Sequence, residues 1–286
     1  MKEIHLGTAN LGGKYGIAND IQINPAEVKS MLNWATEKFR CLDTAPDYPN
    51  AFSLIAEYSR NFCVVSKVNL DKHMDVDSVK REIDYQITSM NVDKIEILLV
   101  RGSLELTYKN NEMWNFLCRL RAEGLIGKLG FSIYEPQEID VLSTYFREIN
   151  CFQVPINIAN RTFDVYLNHR HDLIEKFEYF TRSIFLQGLL TMQTTNIPKN
   201  LLGISGVIKG LDEYAFGLSV TRVQLLLSYV THLKWVKGVV VGANSVDQLR
   251  EIYKAFENKC DFDWGFLDRL PVIPRAISDP RLWKAK

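Results

Sequence analysis

Four side chains able to move a proton or hold a charge stand at or near the ends of apolar runs: Asp43, Tyr48, Lys67 and Arg101. A phenol can give a proton to an oxygen that is gaining negative charge, but free tyrosine titrates near ~10. A nearby ammonium favours the phenolate and lowers that value. A carboxylate beside the ammonium fixes its position. Asp43, Lys67 and Tyr48 therefore form a candidate general acid–base set. Arg101 adds a permanently charged planar fork, suited to stabilising an oxyanion or clamping a carboxylate or phosphate. The plain alternatives are a structural Asp43–Lys67 ion pair, a packing role for Tyr48 and an Arg101 turned outward.

For these residues to meet, separate runs must end at one place. Short β-branched runs at 3–6, 41–43, 62–68, 95–101, 125–132, 151–155, 183–186 and 238–242 give eight candidate strands. Helical stripes lie between them. Val28, Met31, Leu32, Ala35 and Phe39 form one, opened by Asn24 as cap and Pro25 as first helical residue. Val79, Ile83, Ile87 and Met90 form another, Leu173, Phe177 and Phe180 a weaker one, and Val246, Leu249, Ile252 and Phe256 the last. The segment 193–211 has no clear period and reads as a long loop.

Strands that alternate with helices pair in parallel, because each crossover carries a helix. An open doubly wound sheet would want a glycine-rich turn that opens a helix directly after the first strand. Gly7 to Gly13 is glycine-containing, but the first helix begins only near Pro25, so the dinucleotide fingerprint fails on context. A closed (β/α)8 barrel of the TIM type needs ~250 residues. The 286 residues fit one such α/β domain, with residues 260–286 as a tail packing on it. Active sites of these barrels lie at the C-terminal strand ends. Ser132, Gln153 with Asn157, Gln187, and the stretch 242–245 then join Asp43, Lys67 and Arg101 at one mouth.

An ordered series of short motifs carries a resemblance. Gly7-Thr8-Ala9, Leu42-Asp43-Thr44-Ala45 with Tyr48, Val65-Ser66-Lys67, Gly130-Phe131-Ser132, Phe152-Gln153-Val154 with Asn157, Gln187-Gly188-Leu189-Leu190 and Val241-Gly242-Ala243 run in sequence over nearly the whole chain. Together they resemble the aldo-keto reductase family, nearest to its short bacterial members associated with sugar metabolism. The resemblance implies an NAD(P)H-dependent oxidoreductase that reduces a carbonyl. Tyr48 would be the proton donor, Lys67 and Asp43 its tuning pair, and Ser132 and Gln153 the holders of the nicotinamide carboxamide. Gln187, Gly242, Ser245 and Gln248 would contact the rest of the cofactor.

The chain departs from the family at four places. Arg101 stands where a histidine usually polarises the carbonyl, which favours an acidic substrate such as a keto acid or acidic sugar. Pro49-Asn50-Ala51 follows Tyr48 where glycine and an acidic residue are usual, and Ile133 replaces a frequent amide. Ser245 and Gln248 read as a capping box at a helix end suited to a phosphate. Gly242 and Gln248 occupy positions where NADPH-selective members carry cations, and Arg250 is a substitute, so NADPH is expected with NADH in close competition. The Arg101 departure also keeps open an isomerase-type barrel with bound cofactor and a non-catalytic regulatory barrel.

Bulk properties exclude other classes. Lys+Arg and Asp+Glu are 34 each, so net charge is zero, unlike a nucleic-acid binder. The five cysteines are scattered, which argues against disulfides and a zinc site and for a reducing compartment. His169 and His171 lack supporting ligands, so no metal is expected. No apolar run approaches the ~20 residues that span a bilayer. The expectation is a cytoplasmic monomer or small homo-oligomer whose partner is a small carbonyl compound, with no membrane or nucleic-acid partner.

Overall fold

Eight strands hydrogen-bond in sequence order and close into a parallel barrel. They are β1 (Glu3–Gly7), β2 (Cys41–Asp43), β3 (Cys63–Asn69), β4 (Ile95–Arg101), β5 (Ile126–Ser132), β6 (Cys151–Pro155), β7 (Glu178–Arg182) and β8 (Val236–Val241). The structure is a computed structural model that describes residues 2–17, 22–73, 75–103 and 111–283. Residues 284–286 of the tail lie outside the described residues. The barrel closes where β8 pairs with β1, His5 against Val240 and Leu6 against Val241.

Helices fill the crossovers: α1 (Pro25–Ala35), α2 (Ala51–Ile55), α3 (Val76–Met90), α4 (Asn111–Ala122), α5 (Gln137–Tyr145), α6 (Thr162–Leu167), α7 (His171–Lys176), α8 (Ser205–Gly217), α9 (Arg222–His232) and α10 (Val246–Glu257). Two short tail helices follow, α11 (Gly265–Arg269) and α12 (Arg275–Ser278). Asn24 caps α1 by accepting from Ala26 and Glu27 N–H, and Pro25 is its first residue, as the sequence predicts. Val28, Met31, Leu32 and Ala35 are the buried face of that helix. No helix of the described residues is long and apolar enough to cross a membrane.

Three readings of the sequence differ from the structure. The seventh strand is Glu178–Arg182, not 183–186. Ser183, Leu186 and Gln187 take positive φ values of 63°, 49° and 52°, which no strand accommodates. The 173, 177, 180 spacing resembles a helical stripe, but only Leu173 is helical, and Phe180 lies within β7. The segment 193–211 is not a loop, because it holds the start of α8 and a 3-10 turn before it. Leu201, Ile204, Val207, Ile208 and Leu211 are its buried face. Gly203 and Gly210 mask that period. Their bare faces receive Ile277 and Leu270 of the tail, so a Cβ would lie 2.6 and 2.9 Å from those side chains.

The lumen is packed with Cys41, Val65, Ile97, Leu99, Cys151 and Phe180. A second, larger apolar layer lies between strands and helices and includes Leu6, Leu42, Leu98, Leu129 and Val239. Gly130 of β5 lets its neighbour strand close in, since a Cβ there would sit 2.1 Å from the Cys151 carbonyl oxygen. That obstacle is backbone and cannot rotate away. Gly130→Ala is therefore expected to destabilise the fold by about 1–3 kcal/mol through overpacking. Thermal unfolding checks this, and an unchanged Tm would contradict it.

Candidate active site

Asp43 is the last residue of β2 and pairs in register with Val65 of β3. Lys67 lies two residues further along β3, on the same side of the strand as Val65, because side chains alternate. That geometry brings Lys67 Nζ 2.7 Å from Asp43 Oδ1 and 3.0 Å from the Thr44 carbonyl oxygen. Gln153 of β6 donates from Nε2 to Asp43 Oδ2 at 2.6 Å. Both charged residues are buried. Burial lowers the Lys67 pKa, Asp43 opposes that, and the Arg101 and Arg182 charges add to it. The Gln153 Oε1 atom is buried with no hydrogen-bond partner among the described residues, as is Thr44 Oγ1. The Asp43 carboxylate fixes this amide orientation, since the reverse would set oxygen against oxygen.

Tyr48 lies in the turn after β2, with Lys67 Nζ 5.6 Å from its ring centroid. The phenol is not lowered in the way a lone ammonium would lower it. Burial raises its pKa above the ordinary tyrosine range, and Asp43 raises it further, against Arg182 and Arg101. The physical reason is that Asp43 takes the lysine's charge, so the pair presents little net field to the ring and desolvation dominates. The turn is pinned from below. Gly12 of the β1 loop packs so closely on Pro49 that a Cβ there would meet the Pro49 oxygen at 1.7 Å. Asn50 then takes a left-handed conformation, φ 53°, to start α2.

Arg101 ends β4 and does point towards this region, but its guanidinium is paired with Asp47. The anion clamp expected of it is thus already filled by the protein's own carboxylate. Arg182, at the end of β7, is a cation the sequence reading passed over. It donates to the Ile133 carbonyl at 3.2 Å and packs 4.3 Å from the Tyr134 ring centroid. No described carboxylate bonds it. The misplaced seventh strand hid Arg182, although a strand ending in arginine at the mouth is the signal that would have found it.

A groove of about 440 Å³ crosses the strand ends of β1, β7 and β8. Asp43, Tyr48, Gln187, Gly242 and Gln248 line it, together with Asn10, Tyr15, Arg182 and Glu251, which the sequence reading did not single out. Lys67, Arg101, Ser132, Gln153 and Ser245 lie outside its lining. Ser132 stands beside Gln153 in the β5–β6 register. Asn157 supports the loop after β7 by donating from Nδ2 to the Ser183 carbonyl at 3.1 Å. That loop also meets the β1 loop, where Ile17 N–H donates to the Gln187 oxygen at 3.2 Å.

At the far end of the groove Ser245 caps α10 by accepting from Gln248 N–H at 3.1 Å. Gln248 returns a bond to Asn244 N–H rather than to Ser245 N–H, so the capping box is displaced by one residue. Glu27 of α1 accepts from Val246 N–H at 2.6 Å. A carboxylate therefore already sits on the helix end that the sequence offers to a phosphate. Arg250 is engaged with Asp247 at 3.2 Å.

The aldo/keto reductase family model matches residues 3–263. The chain belongs to the aldo/keto reductase family. No curated protein matches it. Among solved structures, the chain is similar to aldo-keto reductase AKR11C1 from Bacillus halodurans in its holo form, with 16% identity, TM-score 0.76 and 98% and 95% of the two chains covered. It is similar to the glycerol dehydrogenase AKR11B4 from Gluconobacter oxydans, at 17% identity and TM-score 0.73 over 97% and 92%. A Klebsiella pneumoniae aldo-keto reductase in complex with NADPH matches at 18% identity and TM-score 0.71 over 96% and 93%. Family membership makes this barrel an NAD(P)H-dependent oxidoreductase.

His169 and His171 are exposed. Among the described residues one group has metal-ligand geometry, Glu3, His5 and Cys41. It lies towards the opposite, N-terminal end of the strands, where Glu3 is already within 3.5 Å of Arg40 and 4.0 Å of Lys237.

The buried pair gives a test of the aldo/keto reductase core. Lys67→Met leaves the Asp43 carboxylate buried without its cation and is expected to cost about 3–5 kcal/mol. Adding Asp43→Asn to that variant removes the stranded charge and should restore most of the loss. Denaturant unfolding of the single and double variants measures both, and equal destabilisation would refute the coupling.

Proposed function

We propose that this aldo/keto reductase reduces the carbonyl of a small polar, acidic, sugar-derived or keto-acid compound with NADPH. The observation that carries the reading is that Tyr48 and Asp43, the latter bonded from behind by the buried Lys67, line one groove together with Gly242 and Gln248. The residues present fit a nicotinamide dinucleotide. Small and amide residues, Gly7, Ala9, Asn10, Gln187, Gly242 and Gln248, are part of the groove lining, and the buried Gln153 Oε1 just beneath Asp43 is an acceptor with no hydrogen-bond partner among the described residues. Ser132 and Gln153 take the carboxamide in this reading, and Gln187, Gly242 and Gln248 follow the rest of the molecule. Ser245 acts through the α10 end that it caps. The bound cofactor supplies a hydride to the carbonyl carbon.

The chain's own residues do the proton work. Tyr48 Oη gives its proton to the carbonyl oxygen as negative charge develops there. Burial and Asp43 keep the phenol protonated at neutral pH, which suits a donor. The Arg182 and Arg101 charges favour the phenolate left behind, while Lys67 holds Asp43 in place from the Thr44 side.

Tyr48→Phe should lower turnover by about 10²–10⁴-fold while cofactor binding survives. Tryptophan fluorescence quenching by NADPH reads the binding, and loss of both together would argue against a donor role. The sign of the pH dependence follows from the raised phenol. The reduction rate should hold flat through neutrality and fall only above the free phenol value of ~10, as Tyr48 loses its proton. A fall centred below pH 8 would contradict the assignment.

The extra phosphate of NADPH meets no free cation at Gly242, Gln248 or Arg250, and the Glu27 carboxylate holds the adjacent helix end. NADPH and NADH should therefore differ by less than about tenfold in kcat/KM, or ~1.4 kcal/mol. Glu27→Gln should shift the ratio towards NADPH. An unchanged ratio would show that this carboxylate does not sense the phosphate.

A further inference from the structure

A second cavity of about 460 Å³ opens from the same mouth. Tyr15, Arg182, Ser183 and Gln187 line both spaces, so the two adjoin along the loop after β7. Its charged lining is Arg161, Arg182, Arg275, Arg281, Glu135 and Asp279, four guanidiniums against two carboxylates. The excess of two positive charges stands in a chain whose total charge is zero.

The six charges divide into a scaffold and a remainder. Arg281 bonds Glu135 at 3.0 Å and Asp279 at 2.6 Å. Arg275 bonds Glu135 and lies 3.4 Å from Asp279. These four contacts use both carboxylates and fix the tail segment 275–281 as one wall. Arg161 and Arg182 have no share in them. Arg161 is 3.9 Å from Asp268, and Arg182 has no carboxylate partner among the described residues. The hydrogen bonds of Arg182, to the Ile133 carbonyl and at 3.5 Å to Ser183 Oγ, use two of its five N–H donors. The Tyr134 ring lies against its guanidinium, 4.3 Å from the ring centroid, and against that of Arg281 at 3.8 Å. A planar fork held against an aromatic ring, with donors to spare, is suited to bidentate contact with an anion.

We propose that this cavity binds a phosphate ester carried by the substrate, so that the enzyme acts on phosphorylated carbonyl sugars. This rests on the reductase reading given above. The charge excess matches a dianion better than a single carboxylate, and the volume leaves room for a hydroxylated chain between the phosphate and Tyr48. Arg182, at the junction, faces the reacting carbonyl from one cavity and the phosphate from the other. The anion-recognising arginines are then Arg182 and Arg161, not the self-paired Arg101.

The test compares D-erythrose 4-phosphate with D-erythrose under NADPH, in the wild type and in Arg161→Met. Arg161 lies outside the cofactor groove. The wild type should prefer the phosphorylated sugar by at least about tenfold in kcat/KM, the lower range for a hydrogen bond to a charged group. Arg161→Met should lose most of that preference while erythrose turnover holds. Turnover of both sugars at equal efficiency overturns the phosphate site and leaves the reductase reading standing. Where neither four-carbon sugar is turned over, binding decides. Calorimetric binding of glucose 6-phosphate against glucose then decides the phosphate site alone, selective and salt-sensitive binding supporting it and equal or absent binding ending it.

Discussion

The site is organised by the need to bury a lysine and an aspartate together. Taking both charges from water is expensive, and the barrel tolerates it because each charge is paired with the other and hydrogen-bonded. Asp43 accepts from Lys67 on one oxygen and from Gln153 on the other. Three strands, β2, β3 and β6, are thereby tied across the lumen at its top. The same arrangement cancels most of the lysine's field at Tyr48. The phenol is therefore governed by its burial, and cationic influence reaches it from Arg182 and Arg101 instead. A structural requirement of the barrel thus sets the protonation state of its candidate donor.

Much of this was legible from residue order. Polar residues closing apolar runs identified Asp43, Lys67, Arg101 and Gln153, because inward strand ends of a parallel barrel converge whatever their separation in sequence. Gly242 followed from the same logic, Gln187 from a seventh strand read five residues too late, and Gln248 from the helix cap and the family resemblance. What was not legible depends on contacts between loops. Nothing in the order of residues says that Asp47 turns to Arg101, or that Glu27 reaches an amide at the other end of the chain. Leu173, Phe177 and Phe180 recur at helical spacing by coincidence of a short helix and a strand, and this concealed Arg182. The glycines of 203–210 hid a helix because they serve the tail rather than the helix itself.

The tail has two roles in space. Its first part packs on the helices, with the Phe266 ring stacked 3.9 Å from Tyr214 and Phe262 tilted against Tyr229 at 5.8 Å. Its second part returns to the mouth and supplies Arg275 and Arg281 to the second cavity. The helix-bound stretch fixes where the charged stretch can stand. Part of the mouth is therefore built from residues beyond the last barrel strand.

Closure of the barrel joins the two ends of the chain. β1 waits for β8, and Glu27 meets Val246 across 219 residues. During synthesis the first strand emerges long before its partner exists, with its outer edge unpaired. Such an edge is a template for association with other chains. Contacts of this sequence separation also slow folding, since the intervening chain must be ordered before they form. Until residues 236–241 have been made, that edge of the first strand has no barrel partner.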